Sequence, residues 1–109
     1  MGNPVAGDVV VLPFPQTNLQ AGKRRPALVV ANLVGDDLIL CQITSQSRSD
    51  GHSISLADTD FTNGKLAIAS FARASRLFTV EQSAILYVAA HVSAAKLSEV
   101  KTRIRALFA

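Results

Sequence analysis

Lys23-Arg24-Arg25-Pro26-Ala27-Leu28-Val29-Val30-Ala31-Asn32-Leu33-Val34-Gly35-Asp36-Asp37-Leu38-Ile39-Leu40-Cys41-Gln42-Ile43-Thr44 is two apolar runs around one turn signal. Ala27 to Val34 and Leu38 to Thr44 are rich in branched residues, which suit a pleated, packed surface. Gly35-Asp36-Asp37 between them supplies turn chemistry. Pro26 has no N–H to lose at a strand start and holds Arg25 extended. The stretch therefore predicts an antiparallel hairpin headed by Arg25 and ending on Thr44. Both residues stand about nine or ten positions from the turn, so the two free ends of the hairpin lie side by side.

Upstream, Gly7-Asp8 reads as a turn and Val9 to Phe14 as a strand stopped near Pro13 and Pro15. Pro15 to Arg24 is a polar loop of about ten residues, longer than a plain hairpin requires and so a candidate functional loop. With the hairpin, this makes a meander of three strands. Met1 to Pro4 reads as a frayed lead-in.

Downstream, Gln46 to His52 is polar, and Ser53-Ile54-Ser55-Leu56 alternates as a strand with one wet face. Asp58 to Asn63 reads as a polar link closed by Gly64. Lys65 to Leu77, carrying Leu66, Ile68 and Phe71, is expected to form one or two strands with a bend. Ala84 to Val92 is nearly all apolar and is expected to be a strand buried on both faces. Ser93 is an N-cap candidate for a closing helix, along which Leu97, Val100, Ile104, Leu107 and Phe108 recur on one face. Lys101, Arg103 and Arg105 lie late in it, where cations oppose the helix dipole. The expected fold is mainly β with one helix: a small SH3-like, partly open β-barrel of about six or seven strands and a C-terminal α-helix.

A chain of 109 residues predicts one domain spanning 1–109. Hydrophobic residues make up 49% and charged residues 17%, which excludes a disordered tail and predicts a homodimer that covers part of the apolar surface. The net charge of +3 agrees with an anionic partner without requiring one. Cys41 is the sole cysteine, so there is no disulfide framework and no thiolate zinc site. His52 reads as solvated and His91 as structural, and two histidines alone make a poor metal site. With no secretory segment and no apolar stretch long enough for a bilayer, a soluble cytoplasmic protein without membrane partners is expected.

Four separated blocks carry the chemistry: Gly7-Asp8-Val9-Val10-Val11-Leu12-Pro13-Phe14, then Lys23 to Val30, then Gln42-Ile43-Thr44-Ser45-Gln46, then Arg73-Ala74-Ser75-Arg76-Leu77-Phe78-Thr79. Together with Asp60-Phe61, Gly64 and a helix that opens on Ser, their order and spacing resemble the MazF/PemK toxin family, specifically its PemK-like branch. The resemblance runs from Gly7 to Phe108. It implies the toxin of a type II toxin–antitoxin system: a metal-independent, sequence-specific endoribonuclease that cuts single-stranded mRNA to 2′,3′-cyclic phosphate and 5′-hydroxyl ends, with no cofactor. It implies a cognate antitoxin as partner, and DNA only through a toxin–antitoxin complex. It also implies that Arg25 and Thr44 are the catalytic pair.

Those residue types suit that reaction. The phosphorane transition state carries extra charge on its non-bridging oxygens, which a planar, permanently charged guanidinium matches with paired donors. A hydroxyl adds a neutral donor at little desolvation cost. Lys23 and Arg24 are candidates to grip phosphates, Ser45 and Gln46 to read a base edge or hold Thr44, and Phe14 to meet a base or the antitoxin. Arg73 completes the substrate-binding candidates. The plainer reading of Arg25 is a surface arginine paired with Asp8 or with a sheet-edge carbonyl. For Thr44 it is an ordinary strand residue, and for Phe71, Phe78 and Tyr87 it is core packing. Some relatives carry an acid where this chain has Arg73, Ser75 and Arg76. An alternative within the same fold is a binding module without catalysis, such as a gyrase-poisoning relative or an inactive partner protein.

Overall fold

The computed structural model describes residues 3–14, 23–46 and 51–109, with the side chains of Phe14 and Lys23 outside that description. Strands β1 (Asp8–Phe14), β2 (Lys23–Asn32) and β3 (Asp37–Thr44) form the expected meander. Strands β4 (Ser53–Leu56), β5 (Phe61–Gly64), β6 (Ser70–Glu81) and β7 (Tyr87–Val92) complete a seven-stranded, curled half-barrel sheet, and helix α1 (Ala94–Ala106) closes the chain. The strand order is β4-β6-β3-β2-β1-β7-β5, and every neighbouring pair is antiparallel.

The central strands read as continuous apolar runs because both of their faces are covered. One face carries Val9, Leu28, Val30, Cys41, Ile43 and Ala72, packed with Val100 of α1 and backed by Leu97, Ile104 and Leu107. The opposite face carries Val10, Leu12, Ala27, Val29, Leu38 and Leu40, backed by Phe78, Val80 and Ile85. Alternation along each strand assigns odd and even positions to the two cores.

Four expectations are corrected. Ala84 to Val92 is not a strand buried on both faces. A 3-10 turn occupies Gln82–Ala84, β7 begins only at Tyr87, and Leu86, Tyr87 and Val88 are each about half exposed. Hydrophobicity gave the strand its length, but its place next to the short outer strand β5 leaves its start uncovered. Asp58 to Asn63 is more than a polar link: a 3-10 turn at Asp58–Asp60 leads into β5, whose polar residues sit at a sheet edge where water takes one side. The sixth strand begins at Ser70 and runs to Glu81 as one element, shifted toward the C-terminus from the expected Lys65 to Leu77. The N-terminal lead-in is docked where it is described: Pro4 is buried, its carbonyl accepts from Asn32 Nδ2, and Asn3 accepts from Gln82 Nε2 at 2.7 Å.

Ser93 caps α1 as its sequence position predicts, its hydroxyl accepting from Lys96 N at 3.1 Å. Arg103, late in the helix, donates to the carbonyl of Gly51 at 2.6 Å and ties α1 to the segment before β4.

Candidate functional site

Arg25 and Thr44 come together through strand register. β2 and β3 pair with Ala27 opposite Gln42, and the same register continued by two residues sets Arg25 level with Thr44. Arg25 is also paired with Leu12 of β1, Thr44 with Phe71 of β6, and Phe71 with Ser55 of β4. The pair Leu12–Arg25 and the row Thr44–Phe71–Ser55 are thus set on one face, aligned by the continued β2–β3 register. Directly opposed residues share a face, with Cβ atoms about 4.5–5.5 Å apart. This is the face of the second core, continued outward past its last buried residue. Leu12 is 2% exposed, whereas Arg25 and Thr44 are half-buried and Ser55 is exposed. An apolar floor thus gives way to a guanidinium and a hydroxyl that solvent can reach.

Asp8 lies four residues from Leu12 along β1 and is bound elsewhere. Its carboxylate meets His91 Nδ1 at 2.7 Å and accepts from Val5 N at 2.9 Å. Among the described residues no carboxylate pairs with Arg25. Thr44 Oγ1 accepts the backbone N–H of Gln46 at 3.2 Å, a local turn that fixes the oxygen and leaves its proton free to donate. Gln46 thus holds Thr44 through its main chain, while its side chain and Ser45 are exposed beyond the end of β3.

The other candidates divide. Lys23 and Phe14 pair with each other at the ends of β2 and β1; their side chains lie outside the described residues. Arg24 pairs with Pro13 and is exposed, and the two-residue period turns it to the face opposite Arg25, so it does not share the row. Arg73 is half-buried, paired with Ser53, and shares the face of Phe71 two residues along β6. It opens an irregularity in which the four residues Arg73 to Arg76 lie against the single residue Gln42 of β3. Cys41 fixes that irregularity from beneath: Sγ donates to the carbonyl of Arg73 at 2.9 Å, and burial pushes its thiol pKa up to about 12. It is a structural thiol, as its apolar setting predicts.

The first block of the sequence also proves structural. Gly7 has φ +100, and a Cβ there would stand 2.9 Å from His91 Cε1. Gly7 lets the imidazole lie under the backbone, and Asp8 holds it, locking β1 to β7. His52 is half-buried, less solvated than expected, and its carbonyl accepts from Ala74 N at 2.9 Å. Phe71 lies outside both cores of the described residues, between the small buried residues Ser70 and Ala72.

Comparison with known proteins agrees with this architecture. Residues 6–108 match the family described as PemK-like, MazF-like toxin of type II toxin-antitoxin system. The chain is similar to MazF from Deinococcus radiodurans, with 25% identity, a TM-score of 0.77, and 99% of this chain and 98% of that chain covered. It is equally similar to a MazE-MazF structure from the same organism: 25% identity, TM-score 0.79, covering 98% and 97%. An endoribonuclease in complex with its cognate antitoxin from a mycobacterial species shares the fold at 16% identity, TM-score 0.74, covering 96% and 94%. No curated protein sequence matched. With the family model covering nearly the whole chain, the protein belongs to the PemK-like, MazF-like toxins of type II toxin–antitoxin systems.

Proposed function

We propose that this toxin is an endoribonuclease that cuts single-stranded RNA at a short recognition sequence, with Arg25 and Thr44 at the scissile phosphate. The observation that carries the reading is the register: a guanidinium with no carboxylate partner among the described residues, set level with a positioned hydroxyl on one sheet face. Arg25 donates to the non-bridging oxygens as charge grows on them, and Thr44 adds a neutral donor whose oxygen is already held by Gln46 N. Donors fixed before the reaction cost no reorganisation when the charge develops. The ribose 2′-oxygen bonds to the adjacent phosphorus as its hydroxyl loses a proton to solvent, and the phosphorus–5′-oxygen bond breaks as that oxygen gains a proton from solvent, giving a 2′,3′-cyclic phosphate and a 5′-hydroxyl. The charge is met by protein groups and the reaction is proposed to need no metal.

Lys23 and Arg73 add phosphate attraction, and Arg24 raises the local potential from the opposite face; these contributions are salt-sensitive and independent of sequence. Ser45, Gln46 and Phe14 are proposed contacts to bases. The solved MazE-MazF structure, and the mycobacterial endoribonuclease held by its cognate antitoxin, support an antitoxin partner here, with DNA contacted only through that complex. The chain is proposed to act in the cytoplasm, as a single domain; among the described residues no helix is long and apolar enough to cross a membrane. The half-exposed Leu86, Tyr87 and Val88 support a homodimer.

Induced expression in a bacterial host tests the reading in cells. Growth arrest with loss of full-length mRNA, relieved by Arg25→Ala at equal protein level, is expected. Arrest with intact mRNA would instead assign a binding toxin without nuclease activity.

A further inference from the structure

The start of β6 places one aromatic ring outside both cores of the described residues. Ser70, Ala72 and Ala74 are buried on the helix-covered face, while Phe71 points the other way and is half-buried. Among the described residues Phe71 belongs to neither hydrophobic core, whereas Phe61 and Phe78 each pack against one. A large apolar ring is ordinarily spent on a core. This one is instead cross-strand from Thr44 on one side and from the exposed Ser55 on the other. Thr44 and Arg25 are polar neighbours, so the ring presents an apolar surface beside a phosphate-binding pair and within the span of one nucleotide.

We propose that Phe71 is a stacking platform for an unpaired nucleobase next to the cleaved phosphate, with the Ser55 hydroxyl at the edge of that base. The inference rests on the proposed RNA cleavage and adds a base subsite to it. An aromatic face accepts any base, so affinity comes from stacking. Ser55, on the sheet-edge strand β4, adds a donor and an acceptor that favour one base edge over another. The subsite sits on paired strands and is in place before RNA arrives. The base stacked there is held unstacked from its neighbour, which frees the sugar to bring its 2′-hydroxyl in line with the phosphorus.

The test uses the full chain and a single-stranded RNA carrying a mapped cleavage site, with a 2′-deoxy sugar at the cut to prevent turnover. Phe71→Leu keeps apolar bulk and removes the aromatic face; its affinity is expected to fall about 5- to 150-fold, and Phe71→Tyr to restore it. An abasic nucleotide on one side of the cut should weaken the wild type by a similar factor and Phe71→Leu no further. The chain contains no tryptophan, so Phe71→Trp carries one reporter, whose fluorescence should be quenched by the intact RNA and not by the abasic one. Losses that add independently in the variant and the abasic RNA would overturn the subsite, and so would unquenched indole fluorescence in the Phe71→Trp variant once intact RNA is bound. Wild-type RNA cleavage with unchanged Phe71→Leu affinity would overturn the subsite alone. Failure of the wild type to bind or cut any RNA would overturn it together with the nuclease reading.

Discussion

Arg25 and Thr44 are set level by the register of β2 on β3, continued two residues past Ala27 and Gln42. Their roles separate by substitution. Thr44→Val preserves shape and removes the hydroxyl, so cleavage should fall about 10²–10³-fold, the usual cost of one preorganised donor. Thr44→Ser should retain most activity, because it keeps the oxygen that Gln46 N holds; single-turnover cleavage rates check both. Arg25→Lys keeps the charge and loses the fork, and should recover little of the rate lost in Arg25→Ala. Cys41 makes a different prediction. Its folded pKa, about 12, lies above the usual thiol value of about 8.5, so the folded state holds the proton more tightly. The stability this provides is complete below about pH 8.5 and is lost progressively as pH rises toward the folded value. Urea titrations should show that decline in the wild type and a shallower one in Cys41→Ala, whose lower overall stability reflects the lost packing.

At the scale of the element, the meander and the closing helix were legible because their signals are local. Turn residues at Gly35-Asp36-Asp37, Pro26 at a strand start and Ser93 before a periodic face each state their role in the sequence. Ser93→Ala should cost about 1 kcal/mol and lower Tm by about 4–8 °C, measurable by calorimetry. β5 was not legible, since Phe-Thr-Asn-Gly lacks any apolar alternation and becomes a strand only by pairing with β7. Gly64 marks that pairing: its φ is +67, and a Cβ would stand 2.5 Å from the Ala89 carbonyl. Gly64→Ala should therefore destabilise by at least about 1–2 kcal/mol, with hydrogen exchange rising first in β5 and the start of β7. An unchanged exchange pattern would mean that β5 does not depend on this approach. The candidate pair was legible from hairpin geometry, and its meaning from the family blocks. Arg24 is exposed, as expected, but in strand β2 and not in a loop, and Phe71 lies outside both cores of the described residues, because the partner a strand residue meets depends on a register that only the folded sheet reveals.

For the whole molecule, two cores on the two faces of one curled sheet explain the high apolar content, apart from what stays on the surface. The run Leu86-Tyr87-Val88, each 47–53% exposed, is continuous with β7 and should be covered in the proposed homodimer. Val88→Glu is expected to shift sedimentation toward monomer without loss of secondary structure; a persistent dimer would place the interface elsewhere. The central claim is that the protein's own guanidinium and hydroxyl cut RNA, and it is tested most directly on a long single-stranded RNA. Purified wild type, Arg25→Ala and Thr44→Ala are incubated with it in EDTA, and the ends are mapped. Cuts are expected at one short shared sequence, leaving 2′,3′-cyclic phosphate and 5′-hydroxyl ends, and abolished or reduced at least about 10²-fold in both variants. Intact RNA with a well-folded wild type, or cuts that persist undiminished in both variants, would contradict that claim.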